Sequence, residues 1–170
     1  MSTSTLEAIF VAETSGAPMR RVDSARAVAG RGIKGDRYFL GARQSPERRR
    51  HGGDLTLIAG EVLDEVQDLG MRFDAGLSRR NLVVRGMDLD RLIGRRFRVG
   101  DVVLEGIETC EPCLELTKAC DDPGVLRALV HRSGLRAVVR IGGELRIGNQ
   151  LAVEPRIAEP PAVSARCRHR

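Results

Sequence analysis

Apolar positions along the chain fall in short runs, not in long periodic stretches. Leu6 to Ala12 is one such run and predicts a strand. Met19 to Ala29 alternates loosely, with Val22 and Val28, and predicts strand material broken by a turn. Leu55 to Ile58 and Asn81 to Arg85 predict two more strands. Phe97 to Val99 and Val102 to Ile107 predict a pair joined at Gly100-Asp101, a tight hairpin signal. Leu135 to Ile141, Glu144 to Ile147 and Leu151 to Val153 predict strands separated by Gly142-Gly143 and Gly148-Asn149.

Helical spacing is rarer. Val62, Leu63, Val66 and Leu69 share one face of a helix predicted over Glu61 to Leu69, with Gly70 as its stop. Asp88 to Ile93 supports a helical turn at most, and Leu114 to Ala119 a short helix. Pro123 opens a helix running to His131, with Gly134 beyond its end. Gly30 to Phe39 reads as a loop, and the polar stretch Gly41 to Gly53 as the most mobile segment. Strands dominate and do not alternate regularly with long helices. The prediction is a mainly β fold, a closed or partly closed barrel of mixed strands with a few short helices, and not a doubly wound sheet.

Size and composition narrow this further. A chain of 170 residues with 42% hydrophobic residues holds one core. The expected organisation is one domain over residues 1–154 and a frayed Pro/Arg-rich tail over residues 155–170. Aromatics are only 3%, which argues against a base-stacking platform for nucleic acid. The charge is Lys plus Arg 28 against Asp plus Glu 23, or +5. Without Arg166, Arg168 and Arg170 it falls to 25 against 23, or +2, so bulk charge does not point to nucleic acid either. Lys34 and Lys118 are the only lysines, and the remaining bases are forked arginines suited to phosphates and carboxylates. The N-terminus lacks a basic stretch followed by an apolar one, and no run reaches membrane-spanning length. The expected location is the cytoplasm, with reduced thiols and no membrane partner.

Three of the four cysteines, Cys110, Cys113 and Cys120, are clustered. A chain this long does not need disulfides to fold, so the cluster suggests chemistry or metal. Cys110-Glu-Pro-Cys113 follows a predicted strand, and Pro112 stiffens the backbone before Cys113. Several readings stay open on the residues alone. They are a zinc site of Cys110, Cys113, Cys120 and His131, a thioredoxin-like dithiol, a single working thiolate at Cys113 with Cys110 as helper, or small buried hydrophobes. Gly32-Ile-Lys-Gly-Asp36-Arg37 lets backbone N–H groups approach an anion, with Lys34 and Arg37 adding charge, although it also suits an ordinary tight turn. Ser78-Arg-Arg-Asn81 offers a fork for phosphate and an amide for a heterocycle edge, or a solvated arginine pair. His51-Gly-Gly-Asp54 is a weaker candidate. Serine hydrolase and zincin motifs are absent from the sequence.

Taken in order, these motifs resemble a MOSC domain, the family named for the C-terminal part of molybdenum cofactor sulfurase. The resemblance runs from about Leu6 to Val153 and rests on Gly32 to Arg37, Arg79 to Val84, Leu92-Ile-Gly94 with Val99-Gly-Asp101, and Cys110-Glu-Pro-Cys113. It implies a β-barrel that binds molybdenum cofactor, a pterin dithiolene with a phosphate. It also implies one functional cysteine, here Cys113, carrying sulfur as a persulfide or ligating molybdenum; Cys110 would then resolve a persulfide or a disulfide. Arg79 and Asn81 would hold the cofactor, with Lys34, Asp36 and Arg37 beside them. Gly148-Asn149 departs from the Gly-Asp that members often show. The N-terminal domain of the amidoxime-reducing relatives and the desulfurase domain of the sulfurase have no counterpart here, so the resemblance is to a stand-alone bacterial form. A cysteine desulfurase or a reductase would then be the partner. The alternatives are a molybdenum-dependent reductase of N-hydroxylated compounds and a zinc or thiol-switch interaction module. Pyridoxal phosphate is not expected, since its chemistry needs a Schiff-base lysine in a larger scaffold.

Overall fold

In the computed structural model, residues 3–41, 53–112, 116, 118 and 120–155 are described. The stretch 42–52, the tail from 156 and Cys113 lie outside them, and with them the expected mobile segment and frayed tail. The strands are β1 (Thr5–Val11), β2 (Arg20–Val22), β3 (Ser24–Val28), β4 (Gly32–Ile33), β5 (Leu55–Ala59), β6 (Leu82–Arg85), β7 (Arg96–Val99), β8 (Val102–Thr109), β9 (Leu135–Ile141), β10 (Gly143–Arg146) and β11 (Leu151–Val153). The helices are α1 (Arg37–Gly41), α2 (Gly60–Asp68) and α3 (Pro123–Leu129), with a 3-10 turn at Leu89–Leu92.

The fold is mainly β. Eight strands form one mixed sheet in the order β11-β7-β8-β9-β5-β6-β1-β2, and β10-β3-β4 form a second. The pairing of β5 with β6 is parallel, made by the crossover through α2; the other ladders are antiparallel. The ladder is open, with β11 and β2 at its edges, so a barrel closed by continuous pairing is not what forms. The strand β11 pairs with β7 and forms no ladder with β1. One bridge, Thr5 to Gln150, spans the gap. Leu6 N–H donates to the Asn149 carbonyl at 2.8 Å, Gly148 N–H to the Leu6 carbonyl at 2.8 Å, and Leu151 N–H to the Ser4 carbonyl at 2.9 Å.

Strand alternation sends side chains into two cores. Leu82 and Val84 of β6 face one way, with Leu55 and Leu57 of β5, toward Ala27, Ile33 and Leu145 of the smaller sheet. Val83 and Ile58 face the other way and pack against Leu63 and Val66 of α2 and Val125 and Leu129 of α3. A register shift between Leu6 and Ala8 lets β1 serve both cores, placing Leu6 and Ile9 in the first and Ala8 in the second.

Two local expectations change. The loop predicted over Gly30 to Phe39 contains β4 and the start of α1, because Asp36 and the residues after it find partners only in the folded chain. Leu69 does not extend the buried face of α2; it is the C-cap and is 64% exposed.

Candidate functional site

Three sequence motifs that lie far apart in the chain meet around Arg79 and Arg80. The turn after β4 carries Asp36, which is buried. Its Oδ1 accepts from the Ala12 N–H at 3.0 Å, just past the end of β1, and from Arg37 Nη1 at 3.2 Å. Its Oδ2 caps Tyr38 N–H at 3.1 Å. The Arg37 guanidinium is thereby aimed away from solvent, and its Nη2 donates to the Arg79 carbonyl at 2.9 Å.

Arg79 sits in the left-handed region, at φ 57. A side chain with a Cβ adopts that conformation at a cost, and such strain collects at functional positions. Arg37 holds the carbonyl, and Arg79 Nη1 donates to the Ala17 carbonyl at 2.8 Å. Its Nη2 is buried and has no partner among the described residues. A buried guanidinium N–H without an acceptor is costly, and an anionic oxygen is the group that suits it best.

Arg80 points elsewhere. Its Nε donates to the Ser133 carbonyl and its Nη2 to the Ser133 hydroxyl, each at 2.8 Å. The same Nη2 lies 3.5 Å from the Cys110 carbonyl, which also accepts a short hydrogen bond from the Ser133 hydroxyl. Cys110 follows β8 directly, and its N–H donates to the Gly134 carbonyl at 2.7 Å. Cys110 is buried.

Asn81 is wholly buried and occupied. Its Oδ1 accepts from Thr56 N–H at 3.1 Å and Thr56 Oγ1 at 3.2 Å, and its Nδ2 donates to the Phe10 carbonyl at 3.1 Å. This amide ties β1, β5 and β6 together. Lys34 is exposed, and its N–H donates to the Arg26 carbonyl of β3 at 2.8 Å.

The zinc reading finds no support among the described residues. Cys110, Cys120 and His131 do not come together, and no group of three His, Cys, Asp or Glu side chains there could hold a metal. His131 instead pairs its Nδ1 with Glu111 Oε1 at 3.1 Å, and both are exposed. Cys120 packs in the second core with Phe73, Val125 and Leu129. Burial, with Asp74 and Asp122 nearby, pushes its thiol above the usual 9.0. A raised folded pKa gives stability that is full below the unfolded value and lost as pH rises through the folded one. Wild-type stability is therefore expected to fall above about pH 9, and to fall less steeply in Cys120→Ala. Urea titrations at stepped pH check this; parallel slopes would contradict it.

Sequence reading passed over Ser133 and Thr56. A serine before a glycine at a helix end signals only a chain turn, and a threonine in a strand signals only β structure. Arg80 stood inside a named motif, but the resemblance gave the role to its neighbours.

The geometry is that of a mainly β mixed sheet with Arg80 held against the turn that starts at Cys110. The MOSC domain family model matches residues 47–152, and the chain belongs to that family. The solved YuaD protein from Bacillus subtilis is similar at 20% identity and a TM-score of 0.73, over 88% of this chain and 94% of that one. YiiM from Geobacillus stearothermophilus is similar at 16% identity and a TM-score of 0.68, over 90% and 76%. YiiM from Escherichia coli is similar at 17% identity and a TM-score of 0.63, over 91% and 72%. At these identities the likeness shows the fold. No curated protein matches the chain. Among the described residues, no helix is long and apolar enough to cross a membrane.

Proposed function

We propose that the protein binds molybdenum cofactor beside Arg79 and that Cys113 is its working thiolate, a sulfur carrier or a molybdenum ligand. The observation that carries this reading is the unpartnered, buried Nη2 of Arg79. Membership of a family associated with this cofactor supports it. The cofactor would supply a soft metal centre able to take a thiolate.

The chain's own part is binding and orientation. Arg79 would donate to an anionic oxygen, with Asp36 and Arg37 fixing its backbone. Lys34 would add an outer charge. The fold's bridge between Thr5 and Gln150 would act as the seam of a barrel. A desulfurase or a reductase in the cytoplasm is the partner this chemistry requires.

The test is molybdenum and zinc analysis of protein made in a cofactor-competent host and purified without oxygen. Molybdenum is expected in wild type and Cys120→Ser, and lost in Cys113→Ser. Arg79→Ala should retain about tenfold less, the effect of one charge-assisted hydrogen bond of roughly 1.5 kcal/mol. Stoichiometric zinc in place of molybdenum, or equal losses in both cysteine variants, would overturn the reading.

A further inference from the structure

We infer that the outward face of the β10-β3-β4 sheet is a docking surface for an acidic segment of a partner protein. Residues 20–34 hold five Lys or Arg against Asp23 alone, a net +4 where the whole chain carries +5. The fold does not neutralise this concentration. Arg20, Arg21, Arg26, Arg31 and Lys34 are exposed, and none pairs with a carboxylate among the described residues. On the large sheet the exposed arginines behave differently: Arg96 and Arg140 both pair with Glu105. Register sets three cations of the smaller sheet close together. Arg26 of β3 has Glu144 of β10 as its cross-strand partner, and Ser24 has Arg146. On the other side Lys34 N–H donates to the Arg26 carbonyl, one step beyond the pairing of Ala27 with Ile33. Ala27 and Leu145, which alternate with these residues, point into the core. Arg26, Glu144 and Arg146 therefore share the face turned to solvent. Holding like charges together costs free energy that an anionic partner returns.

The charge pattern selects the partner. A second copy of this chain would bring the same sign to the same place. A phosphate backbone is uniformly negative, whereas Asp23 and Glu144 are set among the cations here. That mixture suits a protein surface with carboxylates in excess. A bilayer needs apolar side chains to hold, and the row of Ser24, Arg26, Glu144 and Arg146 has none. Lys34 also stands two residues before Asp36, which orients Arg37 toward Arg79. A partner seated on this face lies next to the proposed cofactor end. The inference rests on the proposed function only in identifying that partner as the desulfurase or the reductase.

Fluorescein-labelled poly-L-glutamate, titrated with the full chain at low salt and followed by anisotropy, tests it. The double variant Arg26→Gln with Arg146→Gln should bind about tenfold more weakly than wild type, the effect of two exposed ion pairs. Arg72→Gln with Arg127→Gln removes the same charge from two exposed arginines elsewhere and should change binding less than about twofold. Hydrogen exchange on wild type gives a measurement free of substitutions. The polymer should slow exchange in residues 24–34 and leave α3 unchanged. Equal weakening in both double variants would reduce the effect to bulk charge and overturn the inference. So would absent binding, protection that misses β3, or tighter binding to duplex DNA or to phosphatidylglycerol vesicles. Molybdenum loading is read separately. Patch-specific binding without molybdenum leaves this inference standing and removes the proposed function; molybdenum lost in Cys113→Ser, with equal weakening in the two double variants, does the reverse.

Discussion

Gly134→Ala is expected to leave little folded protein. Gly134 has φ +124, a region that residues with a Cβ rarely enter. The added methyl would also overlap the Leu57 carbonyl and lie 3.3 Å from Arg80 Nε. Neither neighbour can yield cheaply, since Leu57 is ladder backbone in β5 and Arg80 is held by Ser133. Backbone strain and overpacking together cost about 4 kcal/mol, a large part of a small domain's stability. Gly70→Ala is the control. Its φ is +78 but nothing lies within 4 Å of the new methyl, so strain alone remains, about 1 kcal/mol. Urea denaturation separates the two variants. Equal midpoints would show that close approach to the site backbone is not what demands glycine at 134.

The second large effect falls on Asn81. Truncation to alanine would strip Thr56 and the Phe10 carbonyl of their buried partner. The expected loss is about 3 kcal/mol in protein carrying no cofactor. Asn81→Asp keeps the volume but sets a carboxylate against the Phe10 carbonyl. Burial would raise the folded pKa of that carboxyl above its unfolded value. Its stability is then greatest below the unfolded pKa and lost as pH rises through the folded one, so its deficit should shrink on acidification. A cofactor-free Asn81→Ala as stable as wild type, but unable to retain molybdenum, would return the amide to cofactor binding and refute the structural role.

These two residues show where local pattern stops. Asn81 was legible as the residue before a strand, and the resemblance assigned it to a ligand. In the fold its amide is bonded to Thr56 and Phe10, which are distant in sequence. Gly134 was legible as a helix stop. Its decisive feature, the approach of the Leu57 carbonyl, belongs to another strand. Leu69 had the right period and the wrong position, since the helix ends before it and leaves it exposed.

Short-range patterning determined the mainly β class, the Gly100-Asp101 hairpin, the helix opened by Pro123 and a break within the Met19 to Ala29 strand stretch, which the fold places at Asp23. Period and turn chemistry act between neighbours, so they survive in one dimension. The order of motifs also identified the family, because it is a property of sequence. Tertiary structure alone decided the open order of the large sheet, the parallel pairing across α2, the joining of Arg37 to Arg79, and the grip of Arg80 and Ser133 on Cys110. Each of these depends on long-range pairing and on which buried polar group finds which partner. That contest is settled only when water has been excluded and every donor must be satisfied within the fold.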